Sequence, residues 1–251
     1  MPLRWGIVTA GKISHDFVNA FNSYHEKGDQ AIVAVAARDK KRADEFAKVH
    51  NIPKVFDSYQ ALAISSDIDV AYIGALTSDH YELTKLFLEN GKHVLCEKAF
   101  CLNSKQAVSL FKLAEQKNLF IMEAIWTRFA PSYIYLEKEI ASGNLGDVMF
   151  LEANFGIVCE SERMFKKELG GSALLDVGVY LLQLSQYVFK QEPKKVTAVG
   201  NLNEDGVDVT ETIILEYEGG KRAVLNTQSS LRLWNRATIY GTKGRITVRK
   251  I

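Results

Sequence analysis

The sequence is poor in the residues that mark several protein classes. It holds three cysteines, Cys96, Cys101 and Cys159. An odd number without metal-ligand spacing excludes a disulfide framework and a zinc site, and it fits a reducing compartment. Four prolines and no low-complexity tract exclude a disordered chain. An excess of one charge is also missing, because 31 basic residues stand against 30 acidic ones for a net charge of +1. Nucleic-acid and membrane-surface proteins need a clear basic excess, so neither partner is expected. The longest apolar run, residues 31–37, falls well short of the ~20 residues that cross a bilayer. The first residues lead directly into a strand-like run without the layout of a signal peptide, and the cysteine usage makes the cytoplasm the expected location.

What is present is an ordinary globular composition, 47% hydrophobic and 24% charged over 251 residues. That length suits one large domain or two small ones. Apolar strand-like runs at 3–8, 30–37, 55, 69–75, 93–97 and 119–124 alternate with helical patterns at 11–21, 39–50, a stretch ending at 64, 79–90 and 103–118. Asp57 is the expected N-cap of the third helix and Gly91 the expected C-cap of the fourth. Strands alternating with helices of this length imply βαβ crossovers and a doubly wound parallel sheet of the dinucleotide-binding type. The second half changes character. Helical patterns cover 131–141 and 172–189. Strand patterns cover 148–157, 195–199, 210–217, 222–230, 237–240 and 245–249, with turn signals at 218–220 and 241–244. This reads as an α+β domain with an open, largely antiparallel sheet. The expected boundary separates a nucleotide domain, 1–124, from a substrate and dimerisation domain, 125–251.

Four places carry candidate chemistry. The first βα turn contains Thr9, Gly11, Lys12, Ile13 and Ser14, and it keeps only the middle glycine of the G-x-G-x-x-G pattern. Such a turn aims helix N–H groups at a pyrophosphate, and the Thr9 hydroxyl is itself within reach of a phosphate. The second strand ends at Arg38 where an acidic residue would read a ribose hydroxyl. Arginine suits a 2′-phosphate, so NADP is favoured over NAD, with Asp39 as the residue that argues back or merely caps the next helix. The fifth strand ends Cys96-Glu97-Lys98, at the end of the sheet where ligands bind, with Tyr72 and His80 close to the same crevice. In the apolar helix 172–189, Asp176 and Tyr180 lie four residues apart and share a face. That pairing fits either a core tyrosine satisfied by a carboxylate or an acid–base group.

At these residues the chain resembles the Gfo/Idh/MocA family of dinucleotide-dependent oxidoreductases, and within it the branch of dihydrodiol dehydrogenases and NADP-dependent D-xylose dehydrogenases. The segments at 4–8, 36–39, 71–74, 94–98, 122–129, 155–156, 170–180 and 241–244 carry the likeness in the family's order. The resemblance implies reversible hydride transfer between nicotinamide and a secondary alcohol of a sugar, polyol or dihydrodiol. It implies Lys98 as the active-site lysine, Tyr180 as proton acceptor and Asp176 as the acid that orients the substrate. It also implies Arg38 as reader of the 2′-phosphate, Tyr72 and His80 near the coenzyme, Trp126 and Arg128 on the nicotinamide side, and a homodimer formed through the second sheet. Two departures stand out. Ala99 replaces the family's proline after Lys98, so Lys98 is expected to be less firmly aimed. Members of the branch also continue beyond the point where this chain ends. A non-catalytic dinucleotide sensor is the alternative, and a methyltransferase on a similar sheet a third reading that Arg38 argues against.

Overall fold

The computed structural model of the chain describes residues 2–249. The chain divides into two compact units, Met1–Ala124 and Ile125–Ile251.

The first unit runs β1 (Arg4–Val8), α1 (Lys12–Ser23), β2 (Ala31–Ala36), α2 (Lys40–His50), β3 (Lys54–Phe56), α3 (Tyr59–Ile64), β4 (Val70–Ile73), α4 (Thr77–Glu89), β5 (His93–Glu97), α5 (Ser104–Gln116) and β6 (Ile121–Ala124). Its six strands lie in the order β3-β2-β1-β4-β5-β6, and every neighbouring pair is parallel. This is the doubly wound order expected from alternating short apolar runs and helices, and its direction reverses between β1 and β4, where such sheets take ligands. Both faces of the sheet are covered. Leu62, Phe87, Leu88 and Leu110 bury one side, and Ile7, Val18, Phe46 and Tyr72 the other. Each such side chain adds about 1.5–3 kcal/mol when fully buried.

Helix ends differ in detail from the sequence reading. Ser58, not Asp57, caps α3, accepting from the Ala61 N–H at 3.1 Å. Asp57 stands one residue too early to reach that donor. Helix α4 begins at Thr77, so Asp79 lies in its first turn, where a negative charge complements the helix dipole. Its cap is Asn90, and Gly91 follows in the left-handed region at φ 76°, the position where glycine loses least.

The second unit contains α6 (Pro131–Ala141), β7 (Val148–Gly156), a π-helical turn (Leu174–Gly178) continuous with α7 (Val179–Phe189), β8 (Lys195–Leu202), β9 (Asp208–Glu216), β10 (Arg222–Gln228), β11 (Arg236–Gly241) and β12 (Arg245–Arg249). The strand order is β12-β11-β7-β10-β9-β8. The two short turns join antiparallel pairs, β9 with β10 and β11 with β12. The exception to antiparallel pairing is β7, which lies between β11 and β10 and runs parallel to β10. One face of the sheet buries Leu151, Ala153, Ile213, Leu215, Leu225 and Ile239 with Leu136 of α6 and Leu181 and Leu184 of α7. The helix expected over 172–189 is therefore two structures. Its first turn is widened into a π turn, and Gly178 closes that turn where a Cβ would come within 2.9 Å of the Leu174 side chain.

Candidate functional site

In the first unit the βα turn after β1 is built around backbone contacts. Thr9 adopts φ 83°, a conformation that disfavours a β-branched residue. Its N–H donates to Ala36 O at 2.9 Å, and its hydroxyl donates to Gly74 O at 2.6 Å. The hydroxyl thus ties β1 to the end of β4 and is turned inward, not toward a phosphate as the sequence reading allowed. Ser14 is fully buried, and a Cβ on Gly74 would come within 2.4 Å of its Oγ. The small residues bring the start of α1 against the strand ends. Gly11 is the N-cap of α1 and no side chain caps that helix, while Lys12 and Ile13 are exposed at its mouth. Uncapped N–H groups at this place fit a pyrophosphate.

The end of β2 bears on the choice between the two nucleotides. The Asp39 carboxylate caps α2, accepting from the N–H groups of Lys41 at 2.9 Å and Arg42 at 3.4 Å. One of its oxygens is used by the helix, and Arg38 is exposed beside it. The Arg42 guanidinium reaches back to Ala10 O at 3.4 Å, so a second cation borders the glycine turn.

Tyr72, His80 and Glu97 lie inside the unit. Tyr72 has no exposed surface; its ring stacks on Phe17 at 3.8 Å and its hydroxyl donates to Glu97 at 2.8 Å. Burial, with Glu97 adjacent, pushes the Tyr72 phenol well above its ordinary value. Burial likewise raises the Glu97 carboxyl, against the Tyr72 hydrogen bond that lowers it. His80 is 1% exposed, with ring nitrogens 2.8 Å from Ala99 O and 3.1 Å from Ala75 O. Burial holds its imidazole below the usual value.

These groups surround the backbone of Lys98. The Lys98 N–H donates to Glu97 at 3.2 Å, the next carbonyl meets His80, and the Phe100 N–H donates to Glu123 at 2.8 Å. The Lys98–Ala99 peptide bond is cis. Loss of the family proline was expected to loosen Lys98. Instead, three side chains hold the backbone from Lys98 to Phe100.

In the second unit Tyr180 is 8% exposed. Its phenol oxygen accepts from the Trp126 indole N–H at 2.9 Å, and Phe155 packs on its ring at 5.7 Å. Trp126 itself is 61% exposed. Arg128 is held along α7 by Gln183 and Gln186 and lies over the Tyr187 ring. The Asp176 carboxylate takes both guanidinium nitrogens of Arg163, at 3.0 and 3.3 Å. Sequence reasoning missed Arg163, since it sits in a charged stretch that reads as a solvated loop. It also missed Glu211, for which a signal existed: strand alternation puts Glu211 on the same face as Ile213 and Leu215. Among the described residues, no three His, Cys, Asp or Glu side chains gather as a metal site, and no helix is long and apolar enough to cross a membrane.

Comparison with known proteins agrees with this geometry. Residues 3–124 match the oxidoreductase family with an NAD-binding Rossmann fold, and residues 133–247 match the GFO/IDH/MocA C-terminal domain. The trans-1,2-dihydrobenzene-1,2-diol dehydrogenase of Xenopus tropicalis is 44% identical over 250 residues, covering 99% of this chain and 76% of the frog protein. Its Homo sapiens counterpart is 41% identical over 248 residues, covering 98% of this chain and 74% of the human protein. Among solved structures, the aldose-aldose oxidoreductase of Caulobacter crescentus superposes with a TM-score of 0.91 at 21% identity, over 99% of this chain and 77% of that one. A 3-ketoreductase from Actinomadura kijaniata, in complex with NADP and TDP-benzene, gives 0.89 at 24% identity, over 100% of this chain and 77% of that one. With both of its units matched in order, this chain belongs to the Gfo/Idh/MocA family of dinucleotide-dependent oxidoreductases.

Proposed function

We propose that this chain is an NADP-dependent dehydrogenase acting on a secondary alcohol of a sugar, polyol or dihydrodiol. The observation that carries the cofactor choice is the arrangement at residues 38–42. The Asp39 carboxylate accepts from two N–H groups of α2 through one oxygen, while Arg38 and Arg42 supply positive charge for a 2′-phosphate. Thr9, Gly11, Lys12 and Ile13 form the turn for the pyrophosphate. The substrate class is supported by the relatives, which are named for a dihydrobenzene diol, and by a structural neighbour named for aldoses.

When bound, the nicotinamide supplies the hydride chemistry. Tyr180 takes the proton of the substrate hydroxyl in the oxidative direction and returns it in the reductive one. The Lys98 ammonium stabilises the negative charge that develops on that oxygen. Asp176, held by Arg163, orients the substrate through a neighbouring hydroxyl. Trp126 fixes the Tyr180 oxygen by its indole hydrogen bond, and Arg128 is assigned with it to the nicotinamide side. Tyr72, His80 and Glu97 act from within, keeping the Lys98 segment in place. The free thiols of Cys96, Cys101 and Cys159 support a cytoplasmic location. A homodimer is supported by the sheet face opposite α7, where Thr212, Asn226 and Asn154 form a hydrogen-bonded ladder across three strands.

The test is a fluorescence titration with NADPH and, in parallel, NADH, followed by NADP reduction on a panel of aldoses, inositol-like polyols and aromatic dihydrodiols. Tighter binding of NADPH with turnover on one of these classes supports the reading. Tight NADPH binding without turnover on any of them selects the non-catalytic sensor, and equal binding of the two nucleotides removes the role given to Arg38.

A further inference from the structure

The π turn that carries Asp176 is anchored from below by strand β9. The Leu174 N–H donates to Asp208 at 2.7 Å, and the next N–H, of Leu175, donates to the Ser172 hydroxyl at 2.9 Å. Ser172 in turn hydrogen-bonds Asp208. Two N–H groups at the start of this helix, which have no acceptors within the helix itself, are therefore satisfied by the Asp208 carboxylate and the Ser172 hydroxyl. Three residues on, Glu211 faces inward with 9% of its surface exposed. Neither of its carboxyl oxygens receives a hydrogen bond from an N–H or O–H among the described residues. An ionised carboxylate left this way would be costly. Its polar neighbour is the Asp208 carboxyl, another acceptor. Two such groups can pair only by sharing a proton.

We propose that Glu211 is a positioning residue: it carries a proton that it donates to Asp208, and this buried acid pair fixes the π turn from which Asp176 and Tyr180 are presented. The assignment of work to Asp176 and Tyr180 rests on the function proposed above, whereas the pairing rests on the burial of Glu211, its two oxygens without a donor and the neighbouring Asp208.

Among the described residues, the surroundings of Glu211 offer it no other partner. Across β8 it faces Gly200. Across β10 it faces Thr227, whose hydroxyl donates to Ala173 O in the helix at 3.4 Å. Asp176, on the packed π turn, is occupied by Arg163. Asp208 is the titratable group that acts on Glu211. Burial and the adjoining Asp208 push Glu211 up to about 9. Burial also opposes the charge on Asp208, but hydrogen bonds from Glu211, the Leu174 N–H and Ser172 outweigh it and hold Asp208 below the usual carboxylate range. The proton sits on Glu211 and the charge on Asp208. Ionising Glu211 places two carboxylates in contact in a dry setting. Asp208 then withdraws from Leu174 N–H, and the turn loses its anchor.

The molecule contains its own reporter for this event. The Trp126 indole bonds the Tyr180 hydroxyl at 2.9 Å, and the other tryptophans are Trp5 and Trp234. In a Trp5→Phe, Trp234→Phe background, Trp126 emission is followed from neutral to alkaline pH, without substrate or nucleotide. The expected result is a transition near pH 9 that disappears in Glu211→Gln, whose amide donates to Asp208 at every pH. Tyrosine ionisation, if it contributes, stays in both proteins. Glu211→Leu, which cannot donate, shows the displaced emission already at neutral pH. In turnover assays the alkaline fall is in kcat, and Glu211→Gln removes it. The same transition with Glu and Gln, a Leu variant that behaves like the Gln variant, or a Glu211→Gln protein that fails to fold each overturns the proposal. Because the emission assay needs no substrate, a wrong substrate assignment leaves its outcome unchanged.

Discussion

Replacing Arg38 with alanine removes one guanidinium from the end of β2 without touching the core, because Arg38 is exposed and the Asp39 cap on α2 is made by its neighbour. A hydrogen bond to a charged group is worth about 1.5–3 kcal/mol, and solvent exposure moves this site to the low end of that range. At 1.4 kcal/mol per factor of ten, the NADPH dissociation constant should rise about 10-fold, and NADH binding should stay within about 2-fold. Arg42 remains and limits the loss. Its additional removal should weaken NADPH further, and should also cost some NADH affinity, since Arg42 holds Ala10 O in the turn shared by both nucleotides. The assay is a fluorescence titration with each nucleotide at low and high salt. The difference between wild type and variant should shrink at high salt, as exposed charge pairs are screened. An equal loss for NADPH and NADH, or no loss for either, would refute the reasoning that Arg38 reads a phosphate.

Other expectations follow from the same structure. Lys98→Met should cut kcat about 10²–10³-fold, the range seen when one charge-stabilising group is removed, with an unchanged melting temperature. Near-normal turnover would exclude Lys98 from the chemistry. Gly74→Ala places a Cβ 2.4 Å from Ser14 Oγ, so the start of α1 must move; a loss of about 1–3 kcal/mol in urea unfolding and weaker binding of both nucleotides are expected. Glu211 is protonated in the fold but not in the unfolded chain at neutral pH. Its favourable contribution is complete below the unfolded value and is lost as pH rises through about 9. Urea unfolding of wild type should therefore weaken relative to Glu211→Gln by about 1 kcal/mol per pH unit between pH ~5 and ~9. A difference that stays flat across that window contradicts the shared proton.

Much of this fold is legible in the residue pattern, for identifiable reasons. Runs such as 31–36 are apolar at successive positions because a parallel strand is buried on both faces, and the helices between them carry their own caps, as Asn103 does for α5. The hairpin at Glu218-Gly219-Gly220 announces itself by its glycines. The π turn does not, because one extra residue per turn leaves the apolar spacing of 172–189 nearly unchanged while Asp208, distant in sequence, supplies the anchor. The parallel pairing of β7 with β10 is equally hidden, since it depends on β7 inserting between β11 and β10. At the site, Arg38 and Lys98 are read from their places at strand ends. The inward turns of Thr9 and Tyr72 are not, because the partners Gly74 and Glu97 come from other strands. Arg163 and Asp176 meet only through a loop whose course no periodicity describes.

The insertion of β7 also bears on the order in which the molecule can assemble. As the chain leaves the ribosome, the first unit holds all six of its strands once residue 124 has emerged, and every crossover but the one from β3 to β4 joins strands that are neighbours in the sheet. The strand at 148–156 has no such neighbour. Its partners at 222–228 and 236–241 are made 66 or more residues later, when the hairpin of β9 with β10 can already close. Distant pairing of this kind is slow because the intervening chain must be ordered before contacts reward it. The second unit therefore keeps the apolar side of β7, with Leu151 and Ala153, unpaired through most of its own synthesis.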